Sequence, residues 1–328
     1  MATQEKIETR LKALAELGRE DLSTPHVHDL LHKALASRKG PVVAQAARLA
    51  RTAHATELID ALETAFERHR SDGAKTDKGC LAKQAIVGAL YELDFEDPND
   101  TVYLAGARHV QQEPVWGGYV DTAANLRAEC ATILAQNRHP DALYELTTLA
   151  MDPEAVVRQG AAKALAIHGG MEAALLLRMK ALAGDVEPRV TAECLAGLVA
   201  VEPERSLPFV AQFLDERDIE VAEGAALALG ESRLEDAFLL LRRRFNESVN
   251  PTFKTMLFLP MALTRCEPAF EFLCAAVDEE RIPVAIESVR ALGVCYSDRD
   301  RRAALRRIIS ERSDPALNVA FSEAFPAS

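Results

Sequence analysis

A short pattern of small and apolar residues returns about every 32 residues along the chain, and no other feature limits the fold as tightly. With Val157 as anchor, the positions four, five, seven and eight residues later are Ala161, Ala162, Ala164 and Leu165. The same offsets from Val190 give Cys194, Leu195, Gly197 and Leu198, and from Val221 they give Ala225, Ala226, Ala228 and Leu229. Leu126, Phe253, Val284 and Leu317 anchor further copies, with weaker ones at Leu81 and Val42. From residue 126 onward the anchors stand 31, 33, 31, 32, 31 and 33 residues apart, the length of one two-helix unit. Offsets of four, seven and eight share one helical face, so each anchor helix carries an apolar stripe that only a neighbouring unit can cover.

Composition agrees with an all-helical chain. Hydrophobic residues make up 48% but aromatics only 5%, so Ala, Leu and Val carry the burial, and Ala and Leu are strong helix formers. The expected fold is therefore all-α, an α-solenoid (superhelix) of about eight to nine helical hairpins. With helix layers about 8–10 Å apart, such an array makes an elongated, curved body of the order of 80 Å with a concave face. Pro41, Pro153, Pro251, Pro283 and Pro315 fall near expected helix starts, where a missing N–H costs nothing. Gly18, Gly169, Gly184, Gly230 and Gly293 follow apolar runs and read as C-caps. Pro260 falls inside its helix and predicts a kink there. Ile7, Leu11, Leu14 and Leu17 form one stripe, and Ser23-Thr24-Pro25 reads as the cap of a second helix. Residues 1–39 are thus expected to be capping helices, and 40–328 the repeat array, with an insertion at about 94–121.

Asp152 before Pro153, followed by Val157 and Arg158, resembles the Asp and Arg pattern of HEAT repeats and of the related phycobilisome-lyase-type repeats. Between Leu81 and Leu126 the spacing is 45 residues, about 13 more than a repeat needs. The stretch from Tyr103 to Gly118, YLAGARHVQQEPVWGG, resembles one that interrupts the array in a group of bacterial HEAT-repeat proteins, a group known by its repeats rather than by an activity. It holds the chain's one tryptophan, Trp116, with Tyr103, Arg108, His109, Gln111, Glu113 and the Gly117-Gly118 pair, and these are the candidate binding residues. Trp116 offers a large rigid contact, Arg108 a planar charged fork, and the glycines a backbone that another chain can approach. Two readings of the stretch stand side by side. In one, Trp116 folds back to plug the groove between the second and third repeats, with Arg108 paired to Glu113 or Asp121, which is the commoner fate of a tryptophan. In the other, it is a recognition site.

The chain carries 50 acidic against 38 basic residues, a formal charge of −12 that repels a phosphate backbone, so no nucleic-acid partner is expected. No uncharged apolar run reaches membrane-spanning length, so no membrane partner is expected either, and a cytoplasmic location is the reading. Cys80, Cys130, Cys194, Cys266, Cys274 and Cys295 form no C-x-x-C pair and read as buried free thiols. His28 and His32 stand one helical turn apart, as in zinc-dependent hydrolases, but Asp29 replaces the glutamate base and no third ligand follows, so no metal is expected. Asp72 to Gly79, DGAKTDKG, lacks P-loop spacing and reads as a flexible inter-helix turn. Arg242 to Arg244, and Arg301, Arg302, Arg306 and Arg307, read as solvated helix faces. Deoxyhypusine hydroxylases, also built from HEAT repeats, hold iron with paired His-Glu motifs, and this chain has no His-Glu dipeptide. The expected function is a non-catalytic scaffold or adaptor that needs no cofactor and engages a protein partner through the concave face and the 103–118 loop. The alternative is a lyase-like or cofactor-binding enzyme of the phycobilin-lyase type.

Overall fold

The computed structural model describes residues 2–19, 21–93, 100–215, 217–296 and 298–326. The opening of the expected insertion, residues 94–99, lies outside them. Two compact units divide the chain, Met1–His168 and Gly169–Ser328. Unit 1 runs α1 (Ala2–Leu17), α2 (Pro25–Leu35), α3 (Gly40–Thr52), α4 (Ile59–Ser71), α5 (Gly73–Thr76), α6 (Leu81–Leu93), α7 (Asp100–Ala107), β1 (Gln112–Val115), β2 (Gly118–Asp121), α8 (Ala124–Gln136), α9 (Ala142–Leu149) and α10 (Ala155–His168). Unit 2 runs α11 (Gly170–Ala183), α12 (Pro188–Val201), α13 (Pro203–Val210), α14 (Ile219–Glu231), α15 (Glu235–Glu247), α16 (Pro251–Met256), α17 (Phe258–Leu263), α18 (Glu267–Glu279), α19 (Ile282–Cys295), α20 (Arg299–Arg312) and α21 (Pro315–Ala324).

In each unit the anchor helices stack in order: α3 on α6, α6 on α8 and α8 on α10, then α12 on α14, α14 on α17, α17 on α19 and α19 on α21. The stripe that the repeat predicts is the core. Leu126, Cys130, Ala131, Ile133 and Leu134 are buried, as are Val157, Ala161, Ala162, Ala164 and Leu165, and the corresponding residues of α12 and α14. Leu81 is exposed, with Ala82 taking the buried place beside it, and Ser322 of α21 is exposed as well. The chain is an all-α repeat fold of stacked helical hairpins, interrupted in unit 1 by one two-stranded hairpin among the described residues.

Local punctuation follows chemistry in most places. Thr24 caps α2 by accepting from the Val27 N–H, and Pro41, Pro251, Pro283 and Pro315 occupy the first two positions of their helices. Gly169 and Gly184 follow α10 and α11 with φ of 66° and 69° and extended ψ, a backbone conformation that favours glycine. Pro260 has no N–H for the Met256 carbonyl, and the helix breaks at Leu257 into α16 and α17. Gly230 and Gly293 are not caps. They lie inside α14 and α19, where a Cβ on Gly230 would collide with the Pro260 carbonyl and one on Gly293 would stand 2.6 Å from the Ala324 Cβ. The missing side chain serves close helix approach at both.

The basic runs are partly structural rather than free faces. Arg244 donates to the Leu214 carbonyl and pairs with Asp215 at 2.8 Å, Arg302 donates to the Phe325 carbonyl, and Arg301 pairs with Glu267. Arg68 and Arg312 likewise close the ends of α2 and α18, on the Leu35 carbonyl and on those of Val277 and Glu280. Each satisfies carbonyls that a helix terminus leaves without an internal partner.

Candidate functional site

The insertion folds as helix α7 followed by the β1–β2 hairpin, and α7 packs along α8. Gly106 permits that contact, since a Cβ there would strike the Cys130 Sγ. β1 and β2 pair antiparallel, with Gln112 opposite Asp121 and Val115 opposite Gly118, leaving Trp116 and Gly117 as a two-residue turn. Gly117 has φ 93° at the second turn position, which a residue with a Cβ rarely adopts.

The foot of this hairpin is tied into the repeats by a buried polar network. Lys83, with no exposed surface, donates from Nζ to Asp77 Oδ2 at 2.9 Å, to Gln111 Oε1 at 2.8 Å and to the His69 carbonyl at 3.2 Å, which uses all three of its protons. Asp77 in turn accepts from the N–H groups of Ala82 and Lys83 and so caps α6. Gln111 completes the connection through Nε2, which donates to the Asp77 carbonyl and to Glu113 Oε1. A side chain on Gly73 would overlap Gln111 Oε1, so α5 has to present a bare backbone there. The segment expected to be a flexible turn is therefore α5 and a 3-10 turn built around a buried ion pair.

Glu113 and Asp121 hold the two strands at their base. Glu113 Oε1 accepts from the Gly79 N–H, Gln111 Nε2 and Thr122 Oγ1, each at 2.7 Å. Burial raises its pKa, but these hydrogen bonds outweigh that and leave it below the usual glutamate value. Asp121 accepts from the N–H groups of Gln111 and Ala123 and from Arg127 Nη1 at 2.6 Å, and its pKa is lowered against burial in the same way. Arg127, almost fully buried, also clamps Asp152 with two parallel bonds of 2.9 and 3.0 Å and donates to the His109 carbonyl. Arg158 donates to the carbonyls of Asp152 and Pro153. The expected Asp152–Arg158 signature is thus one link in a chain that continues through Arg127 into the insertion.

The eight candidate binding residues divide between foot and tip. Tyr103 and Gln111 are buried, and Glu113 and His109 half-buried. Arg108 is exposed and pairs with Glu145 of α9 through Nε and Nη2, the first at 3.0 Å, rather than with Glu113 or Asp121. Arg70, Leu104, Arg108 and His109 line a shallow cleft beside α7. Trp116 is fully exposed at 104% relative accessibility, so it plugs no groove. The reason is geometric: a two-residue turn at the end of a hairpin anchored only at its foot holds its first residue away from the body. Tyr119 at 73%, Val115 and Val120 are exposed with it, although Tyr119 and Val120 were not among the expected site residues.

The sequence also contained signals for the buried network. Asp121, Asp152 and Asp185 each precede an anchor by five residues, and each accepts from the N–H two residues on. Each faces a buried cation, Arg127 for the first two and Lys180 for the third. His28 has both ring nitrogens engaged, by the Leu22 carbonyl and by Glu57. Among the described residues no group of three or more His, Cys, Asp and Glu side chains is placed to hold a metal ion, and no helix is long and apolar enough to cross a membrane.

Residues 119–179 match the family model for HEAT repeats. No curated protein sequence matches the chain. Among solved structures, human deoxyhypusine hydroxylase in complex with glycerol is 17% identical with a TM-score of 0.30, the alignment covering 90% of this chain and 93% of that one. An engineered protein is 18% identical with a TM-score of 0.33, covering 97% and 93%. Neither likeness bears on activity. The matched segment runs from β2 into α11 and shares its period with the hairpins on either side of it, so residues 119–179 are similar to HEAT repeats and lie within an all-α repeat fold.

Proposed function

We propose that the chain is a non-catalytic protein-binding scaffold whose recognition element is the tip of the β1–β2 hairpin, with Arg108 and His109 at its foot. The observation that carries this is the contrast within the hairpin: a foot fixed by buried ion pairs and a tip whose tryptophan lies wholly in water. A tryptophan side chain offers about 150–250 Å² of surface, and covering it is worth roughly 4–6 kcal/mol at 25 cal/mol per Å² before the costs of association. Because the foot is preorganised, little ordering entropy is spent when the tip is covered. Tyr119, Val115 and Val120 extend the apolar surface around it. Arg108 is already oriented by Glu145, and an arginine so held presents its outer donors at small entropic cost.

Capture of host proteins on the immobilised chain tests this. Trp116→Ala is expected to weaken a reproducible partner by about 30-fold or more, the effect of losing an interface anchor of 2 kcal/mol or above. Retention of every partner by both Trp116→Ala and Arg108→Ala would remove the hairpin from the function.

A further inference from the structure

The register of the hairpin separates the backbone groups used within it from those left over. Val115 and Gly118 flank a two-residue turn and so exchange ladder bonds, and alternation makes Glu113 and Val120 the next bonded pair. The Thr122 N–H, 3.0 Å from the Gln111 carbonyl, continues the same parity. Pro114 and Tyr119 therefore turn their backbone groups outward, away from each other's strand. The two outer edges are unequal. On β1 the outward position nearest the turn belongs to a proline, which has no N–H and blunts that end of the edge in a way that natural sheets use against pairing, while Gln112 turns outward farther down. On β2 it belongs to Tyr119, which presents both N–H and C=O on an exposed residue, with no backbone partner among the described residues.

We propose that the outer edge of β2 pairs antiparallel with the β2 edge of a second copy of this chain, about a two-fold axis through Tyr119. This rests on the reading of the hairpin as a recognition element and names its occupant. An antiparallel strand edge is self-complementary, since at the axis the Tyr119 N–H of each copy meets the Tyr119 carbonyl of the other. Gly118 then stands opposite Val120, so the smallest residue of the strand meets its branched one. Charge does not oppose this occupant at the contact itself. Two copies of a chain with net charge −12 repel each other, yet residues 114–120, PVWGGYV, carry no charge, and the Asp121 carboxylate that follows is already paired with Arg127. A partner chosen for its charge would find nothing at this tip to read.

Strands this short bury an area in the smallest interface class, so association belongs at high concentration. Sedimentation equilibrium from about 10 to 500 µM covers that range. The average mass is expected to rise from 35.8 kDa toward twice that value. Tyr119→Glu and Tyr119→Lys each place like charges face to face across the axis and should keep the single-chain mass. Mixed in equal amounts they should regain the wild-type rise. Tyr119→Pro removes the outward N–H without touching the ladder, and should stay monomeric with unchanged circular dichroism and melting temperature. A wild-type chain that keeps the single-chain mass throughout, or a charge-swapped mixture that does not associate, overturns the proposal. If the chain is monomeric while Trp116→Ala loses a host partner, the recognition reading stands and the second copy is ruled out. If the mixture associates while Trp116→Ala keeps every host partner, the second copy is the occupant and the host-partner reading falls.

Discussion

Lys83 and Asp77 have no exposed surface, and with Gln111 they form the point where the insertion joins the repeats. Removing one member of such a pair leaves the other charge buried and uncompensated, at a cost of about 3–5 kcal/mol. Lys83→Met is therefore expected to lower the melting temperature by about 6–20 °C, taking 2–4 °C per kcal/mol for a unit of this size, and a shift within about 1 °C would show the pair to be dispensable. Beside it, His69 has no exposed surface, with Nδ1 bonded to Thr76 Oγ1 and Nε2 lacking a partner among the described residues. Burial, with Lys83 and Arg68 adding to it, holds its pKa below 6.5. The unfolded chain thus takes up the proton first as pH falls. The stability due to the neutral imidazole is complete above pH 6.5 and lost as pH drops through the lower folded value. His109, lowered mainly by burial, acts with the same sign, whereas the depressed Asp121 and Glu113 lose their contribution only below about pH 4. Thermal melts from pH 7 to pH 5 should show a decline that His69→Asn reduces without abolishing. An unchanged slope would mean that His69 does not titrate differently on folding.

The helical elements were legible at the scale of the repeat because each anchor stripe is set by local periodicity. Val157, Val190 and Val221 with their offset residues mark α10, α12 and α14, and all of them are buried. Gly230 and Gly293 were misread because a glycine that ends a helix and one that admits a neighbouring helix look alike in a single sequence. Their difference lies in residues 30 or more positions away, Pro260 and Ala324. Gly230→Ala separates the two meanings. Replacing a helical glycine gains up to about 1 kcal/mol of propensity, but here the new Cβ meets a backbone carbonyl that cannot rotate aside. Net destabilisation of about 1–2 kcal/mol is expected in denaturant titration, and stabilisation would show that α14 and α17 can separate freely. The hairpin was hidden for another reason. Pro114 argues against a strand, and only the outward parity of its missing N–H makes it tolerable. Val-Trp-Gly-Gly-Tyr-Val did hold the turn signal, a glycine at the second position of a two-residue loop. The fate of Trp116 was not legible, since its exposure depends on how Glu113 and Asp121 fasten the strands from below.

At the scale of the molecule, sequence and structure agree that burial is distributed along an array rather than gathered in one centre. Each unit has its own core of anchor stripes. Such an array spends little of its surface on any single feature, so the hairpin of unit 1 stands out as a departure that the repeat itself does not require. Its foot carries structural weight through Lys83, Asp121 and Arg127, and its tip carries none, because Trp116 is wholly exposed. That division is the central claim, and one paired measurement on Trp116→Ala tests it: melting temperature and host-partner capture on the same preparation. The account predicts a stability within about 0.5 kcal/mol of wild type together with loss of a partner. A loss of about 3–5 kcal/mol, as truncating a buried aromatic brings, with every partner retained, would contradict it.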